Sequence, residues 1–273
     1  MSDEFERDPE FDDVPSKSGP SRGLAVIMRL ADLVEIVVKV VKVLGVIVIL
    51  IVLLMPCPPW TGKVGAARCA QCVNNLKQIA LALNNYEQEY NALPPAYTVD
   101  AAGKPLHSWR TLILPYLDQE ELYRSIDLTK PWDDPANARA LAAELSVYRC
   151  PAWLRTASGW PPLNGTTYRA IVAPGGCFDP TRPRRLEEIT DGTRSTLMVI
   201  EVGEEDAVPW MAPVDANEAM VLSLGSAPNP PHAKGRNACF VDGVARGLNA
   251  DTPAEFLRAL ISIAGGEDVP QFW

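Results

Sequence analysis

The run Val43–Met55, VLGVIVILIVLLM, constrains this chain more than any other feature, because it carries no charged and no polar side chain. A helix that is apolar all round has no face to offer water, so it must sit in a protein core or in lipid. At the standard helical rise it spans only about 20 Å, short of a hydrocarbon core of about 30 Å. The span is complete if the helix begins near Val37, with Lys39 and Lys42 burying their aliphatic stems and lifting their ammonium groups to the interface. Arg22, Arg29, Lys39 and Lys42 precede the run, whereas Lys63 and Arg68 follow it. That bias places the N-terminus in the cytoplasm. Pro56, Pro58 and Pro59 stop or kink the helix, and Trp60 suits the membrane interface. The expectation is a single-pass anchor in the cytoplasmic (inner) membrane, touching lipid over residues 37–55, with the N-terminus inside and the main domain outside. A cleavable signal peptide fits poorly, since the leader is long and acidic and no small-residue cleavage pattern follows.

The anchor divides the chain into three parts. Residues 1–23, acidic and rich in Ser, Pro and Gly, hold too few apolar groups to offset the entropy of ordering and read as a disordered cytoplasmic tail. Residues 24–60 form the anchor. Residues 61–273 are long enough for a real core outside the membrane. The net charge is −9, and both sides of the anchor are acidic, so no basic surface for nucleic acid follows.

In the outer part, Ala66, Cys69, Val73, Leu76, Ile79, Ala80, Leu83 and Tyr86 recur at helical spacing, and the pattern predicts a helix from about Lys63 to Ala92, closed by Pro94-Pro95. Ser108 is placed to cap a short helix reaching Leu117, and Asp134-Pro135 to open another. Val147–Cys150, Thr167–Val172, Ser195–Val202, Ala238–Val241 and Val244–Leu248 read as strands. Thr252-Pro253-Ala254-Glu255 has the spacing of a capping box before a last helix that closes near Gly265-Gly266. Strands and helices come in blocks rather than in βαβ alternation. The fold class is therefore α+β: a transmembrane helix, a long second helix, and an antiparallel-sheet domain with short helices.

Several spaced motifs carry a family resemblance. Cys69–Tyr86 (CAQCVNNLKQIALALNNY), Leu93-Pro94-Pro95, Ser108-Trp109-Arg110 with Leu114-Pro115-Tyr116-Leu117, Pro131-Trp132-Asp133 and Tyr148-Arg149-Cys150-Pro151 stand in this order. After them come Ile189-Thr190-Asp191-Gly192-Thr193, Glu201, Val208-Pro209-Trp210, and finally His232 followed nine residues later by Asp242-Gly243. The chain resembles the domain-of-unknown-function 1559 family, a large bacterial family with a prepilin-like N-terminus and a C-terminal His-to-Asp-Gly motif. The resemblance implies a pilin-like or pseudopilin-like helix, an extracytoplasmic α+β domain and no established activity. The accompanying expectation about partners is that the outer domain packs against pilin-like assembly partners or against further copies of the chain. The family's peptidase pattern, Gly-Phe-Thr-Leu-Val-Glu, is degenerate here: Leu33-Val34-Glu35 remains, but Leu30-Ala31 stands where Gly-Phe belongs. A retained, uncleaved anchor follows.

The candidate sites are few. His232 and Asp242 invite an acid–base reading, but Asp-Gly between two β-like runs is a hairpin signal, so His232, Asp242 and Gly243 read as a structural motif. Glu201, Glu204, Glu205 and Asp206 form an acidic group with oxygens enough to consider Ca²⁺, although solvated loops often look the same. Cys69-x-x-Cys72 lacks the second Cys pair or His pair that would complete a zinc site, so no metal is assigned to it. Disulfides are favoured for thiols outside the membrane, and Cys150 with Cys177 is the candidate pair. The chain has only two histidines, His107 and His232, no G-x-S-x-G elbow and no phosphate-cradling glycine loop. No catalytic residue is assigned, and the functional expectation is a non-enzymatic structural or interaction protein. The rival is an extracytoplasmic module that senses a small ligand or cation.

Overall fold

The computed structural model describes Glu35 and residues 38–45, 61–151, 162–223, 232 and 235–267. Contacts divide the chain into two units, Met1–Trp60 and Thr61–Trp273. In the first, Glu35 and residues 38–45 are helical, and Lys39 pairs with Glu35 at 2.7 Å. The tail (1–23), most of the apolar run (46–55) and its proline stop lie outside the described residues. Among the described residues no helix is long and apolar enough to cross a membrane.

The second unit is α+β. Helix α1, Thr61–Tyr90, runs eight turns and ends where Asn91 takes a left-handed φ of 55°, with Pro94 and Pro95 beyond it to bar continuation. Short elements follow: β1 (Tyr97–Val99) and β2 (Pro105–Ser108) form an antiparallel pair, and α2 (Trp109–Leu112) starts on Ser108, whose side chain accepts from the Arg110 amide. Next come α3 (Glu120–Arg124) and α4 (Ala138–Leu141). The chain then builds β3 (Gly165–Thr166), β4 (Tyr168–Ala170), β5 (Leu197–Glu201), β6 (Val208–Pro209), α5 (Glu218–Leu222), β7 (Gly235–Phe240), β8 (Ala245–Asn249) and α6 (Ala254–Ile261). Strands β4, β5, β7 and β8 make one antiparallel sheet in that order, while β3 pairs with β6 apart from it.

Both faces of this sheet are covered, so its central strands are buried on both sides. On one face Leu76, Ile79 and Leu83 of α1 meet Val199, Cys239 and Val241. On the other, Ile200, Ala238, Phe240 and Leu248 meet Leu257, Leu260 and Ile261 of α6. Strand alternation assigns Cys239 and Val241 to α1 and Ala238 and Phe240 to α6. In β5 the register shifts between Leu197 and Val199, and this irregularity lets the adjacent Met198 and Val199 share the α1 core while Leu197 and Ile200 share the other.

Two local expectations are corrected. Val147–Cys150 is not a strand: Ser146–Tyr148 is a 3-10 turn, bent because Tyr148 turns inward, stacks on Trp210 and donates its hydroxyl to the Arg110 carbonyl at 2.7 Å. The Thr252–Glu255 capping box is not made either. Pro253 occupies the cap of α6, and the Thr252 hydroxyl instead donates back to Asn249 O at 2.8 Å. The chain after α6 is held by Asp191, whose carboxylate accepts from the Gly265 and Gly266 amides at 2.7 and 2.9 Å.

Candidate functional site

The side chain that organises this half of the molecule is Asn75. It lies on the buried stripe of α1 and donates to two carbonyls of a distant segment, Ser146 O at 3.1 Å and Arg149 O at 2.8 Å. These bonds lash the segment before Cys150 to the helix. Cys72, one turn earlier on the same stripe, is fully buried and faces Cys150. The end of β5 supplies Glu201, fully buried on the α1 side of the sheet. His232 precedes β7 and is fixed by the Gly235 amide, which donates to its carbonyl at 3.0 Å. One ligand atom from each of Cys72, Cys150, Glu201 and His232 can be chosen such that all lie within 4.8 Å of one another.

Within this cluster His232 Nε2 is 2.9 Å from Glu201 Oε2, and Asn237 Nδ2 donates to the same oxygen at 3.0 Å. Glu201 Oε1 and the Tyr168 hydroxyl are buried without a hydrogen-bond partner. Electrostatics follow from the crowding. Hydrogen bonding with Cys150 outweighs burial and, with help from His232, brings the Cys72 thiol down to about 6. The same contact and burial push the Cys150 thiol up. Burial opposes charge on His232, but its hydrogen bonds to Cys72 and Glu201 prevail and raise it to about 10. Burial and the charge of Glu201 likewise hold the Tyr168 hydroxyl well above its usual range.

The structure regroups the residues singled out in the sequence. His232 meets Glu201, and Asp242 stands at the other end of β7, in the β7–β8 turn, where its carboxylate accepts from the Val244 amide at 2.9 Å and from Arg246 at 2.7 Å. His232 and Asp242 share no proton. Gly243 sits in that turn at φ 82°, where an added Cβ would also come within 3.1 Å of Asn84 Nδ2 on α1. Gly243→Ala is expected to cost about 1–2 kcal/mol in a denaturant titration, because an L side chain is strained at that φ.

The acidic group is split. Glu201 turns into the interior, whereas Glu204–Asp206 form a 3-10 turn in which Glu205 is exposed, and Asp206 accepts from Arg169 through its backbone carbonyl. Cys150 is not bonded to Cys177: Cys177 is fully buried on the far side of Tyr168 in sequence and donates its thiol to Leu197 O at 3.1 Å. Cys69 is half-exposed and outside the cluster, so the Cys-x-x-Cys pair does not act as a unit. The sequence weighs Cys72 only as half of Cys69-x-x-Cys72, whereas the structure joins it to Cys150, Glu201 and His232. The signal was present in part, since Cys72 falls on the same helical face as Leu76, Ile79 and Leu83, but a stripe drawn through Cys69 and Val73 conceals it.

A second buried polar group lies nearby. Arg110 is fully buried, pairs with Asp215 at 2.7 Å, and donates to the carbonyls of Trp210, Tyr168, Ala212 and Val214. Asp215 Oδ1 also accepts from Trp109 Nε1 and from the Ala170 amide. Apart from Asp215 the guanidinium donates to backbone carbonyls, so this pair is architectural.

Residues 65–228 match the family described as "Protein of unknown function (DUF1559)". No curated protein and no solved structure matches the chain. The matched segment contains α1 from Gly65 onward, the Ser108-Trp109-Arg110 keystone, Cys150 and Glu201, and the chain therefore belongs to the DUF1559 family.

Proposed function

We propose that this chain is a non-enzymatic structural or interaction protein of pilin-like or pseudopilin-like build, held in the cytoplasmic membrane by residues 37–55 and displaying residues 61–273 outside it. The observation that carries the reading is α1. Leu76, Ile79 and Leu83 pack one face of it on an antiparallel sheet, while Ala70, Asn74, Lys77, Leu81 and Gln88 form an exposed stripe on another. This stripe faces away from the sheet and is open to a neighbouring helix. The charge-free run Val43–Met55 just upstream supplies the anchor, and the degenerate peptidase pattern, with Leu30-Ala31 in place of Gly-Phe, favours a permanent one.

The test is made in native membranes. With a photo-crosslinking amino acid at Leu81, the full chain is expected in the membrane fraction, starting at Met1 or Ser2 by mass, and forming covalent adducts at the size of two or more copies. Recovery of a soluble chain that gives no adduct would remove the reading.

A further inference from the structure

We propose that Cys72, Cys150, Glu201 and His232 form a four-ligand site for a zinc-class divalent cation that clamps α1 to the sheet. Two sulfurs, one imidazole nitrogen and one carboxylate oxygen, each from a different segment, converge within 4.8 Å. In a tetrahedral zinc site, bond lengths of about 2.0–2.3 Å put neighbouring ligand atoms about 3.3–3.8 Å apart, so the widest pairs draw in by about 1 Å while the 2.9 Å His232–Glu201 contact opens slightly. Two thiolates and an imidazole favour zinc and its borderline-soft neighbours over Ca²⁺ or Mg²⁺, which take all-oxygen shells.

Three further observations point the same way. Cys72 and Glu201 are fully buried and Cys150 nearly so, and His232 exposes a tenth of its side chain, which is a costly place to gather four titratable groups without a cation. Glu201 Oε1 is buried and unpartnered, leaving a carboxylate oxygen with its bonding capacity unused. The groups that would orient the ligands are already present: Asn237 holds the Glu201 carboxylate and Asn75 fixes the backbone before Cys150. The site also joins α1, the loop after Tyr148, β5 and the approach to β7, which are otherwise far apart in the chain. A metal here is a cross-link that does not depend on the anchor or on assembly.

The experiment uses the full chain, purified under reducing conditions, stripped with a chelator and titrated with Co²⁺ and then Zn²⁺. One equivalent of Co²⁺ is expected to give a thiolate-to-cobalt charge-transfer band in the near ultraviolet and tetrahedral d–d bands, both erased by one equivalent of Zn²⁺. At pH 7.5, zinc binding is expected to release a number of protons set by the thiols and the imidazole, which bind the metal in their deprotonated forms. Calorimetry in buffers of different ionisation enthalpy reads that number. His232→Ala and Glu201→Gln should weaken binding at least tenfold, while Cys69→Ser and Cys239→Ser should leave it unchanged. Absence of the charge-transfer band in the wild-type chain overturns the proposal. So does a Cys72–Cys150 disulfide found by thiol mapping in metal-free protein isolated without reductant. Since the spectrum is recorded on the wild-type chain, a variant that fails to fold does not decide the outcome.

Discussion

Arg110→Met is expected to lower the unfolding free energy of the domain by about 3–5 kcal/mol, read as an earlier midpoint in urea with an unchanged slope. Methionine fills much of the arginine's volume, so the loss is electrostatic. It removes the counter-charge of Asp215, whose side chain is almost fully buried, and takes the guanidinium donors from the carbonyls of Trp210, Tyr168, Ala212 and Val214, of which Ala212 keeps the Val214 amide. Asp215 Oδ2 has no hydrogen-bond partner even in the intact protein, and Oδ1 would keep only the Trp109 and Ala170 N–H donors. Arg110→Lys should recover little, because an ammonium cannot spread its donors over the fork that the guanidinium fills. If Arg110→Lys instead behaves like wild type, the pair is a simple charge contact and not a backbone clamp. Asp215→Asn is the complementary change: it keeps an acceptor for Trp109 and Ala170 but leaves the buried guanidinium without a counter-charge.

The second large effect is on α1. Ile79→Ala should cost about 2–5 kcal/mol, because Ile79 is fully buried against the sheet and its removal leaves a cavity that a close-packed helix–sheet interface cannot easily collapse. Leu81→Ala, two residues away, should stay within about 0.5 kcal/mol, since Leu81 is 60% exposed. The contrast is the useful quantity. Equal costs would mean that the helix is rotated from the orientation described, and then Cys72 would not face Cys150 either. The stability pair and the cobalt spectrum therefore check the same rotation by independent means. Membrane assembly can be tested separately, because Leu81 contributes to the exposed stripe and not to the core.

Much of the fold was legible because local physics wrote it. The length of α1, the Ser108 cap, the Asp134 cap and the Asp242-Gly243 turn each depend on residues within a few positions of one another. The strands β4, β5, β7 and β8 follow from apolar, β-branched runs bounded by turn residues. Val147–Cys150 misled for a tertiary reason: its β-like composition was overruled by Tyr148, which is worth more stacked on Trp210 and bonded to Arg110 O than extended in a sheet. The Thr252–Glu255 pattern misled because Pro253, with its fixed φ, suits the start of a helix without help from the threonine.

The sequence by itself determined the charge-free apolar run Val43–Met55, the α+β class, the antiparallel hairpin at the C-terminal end and the family, since each is written in short-range pattern or ordered motifs. Only the tertiary structure decided the site. Cys72, Cys150, Glu201 and His232 belong to four segments with no shared periodicity, and nothing in their spacing brings them together. They meet because α1 presents Cys72 and Asn75 on one stripe, Asn75 pulls in the segment that carries Cys150, and the sheet order β4-β5-β7-β8 sets the end of β5 beside the start of β7. Antiparallel pairing of β5 with β7 thus places Glu201 next to His232 and sends Asp242 to the opposite edge. Chain direction, which no local pattern encodes, separated the histidine from the aspartate of its own motif and gave it a glutamate and two cysteines instead.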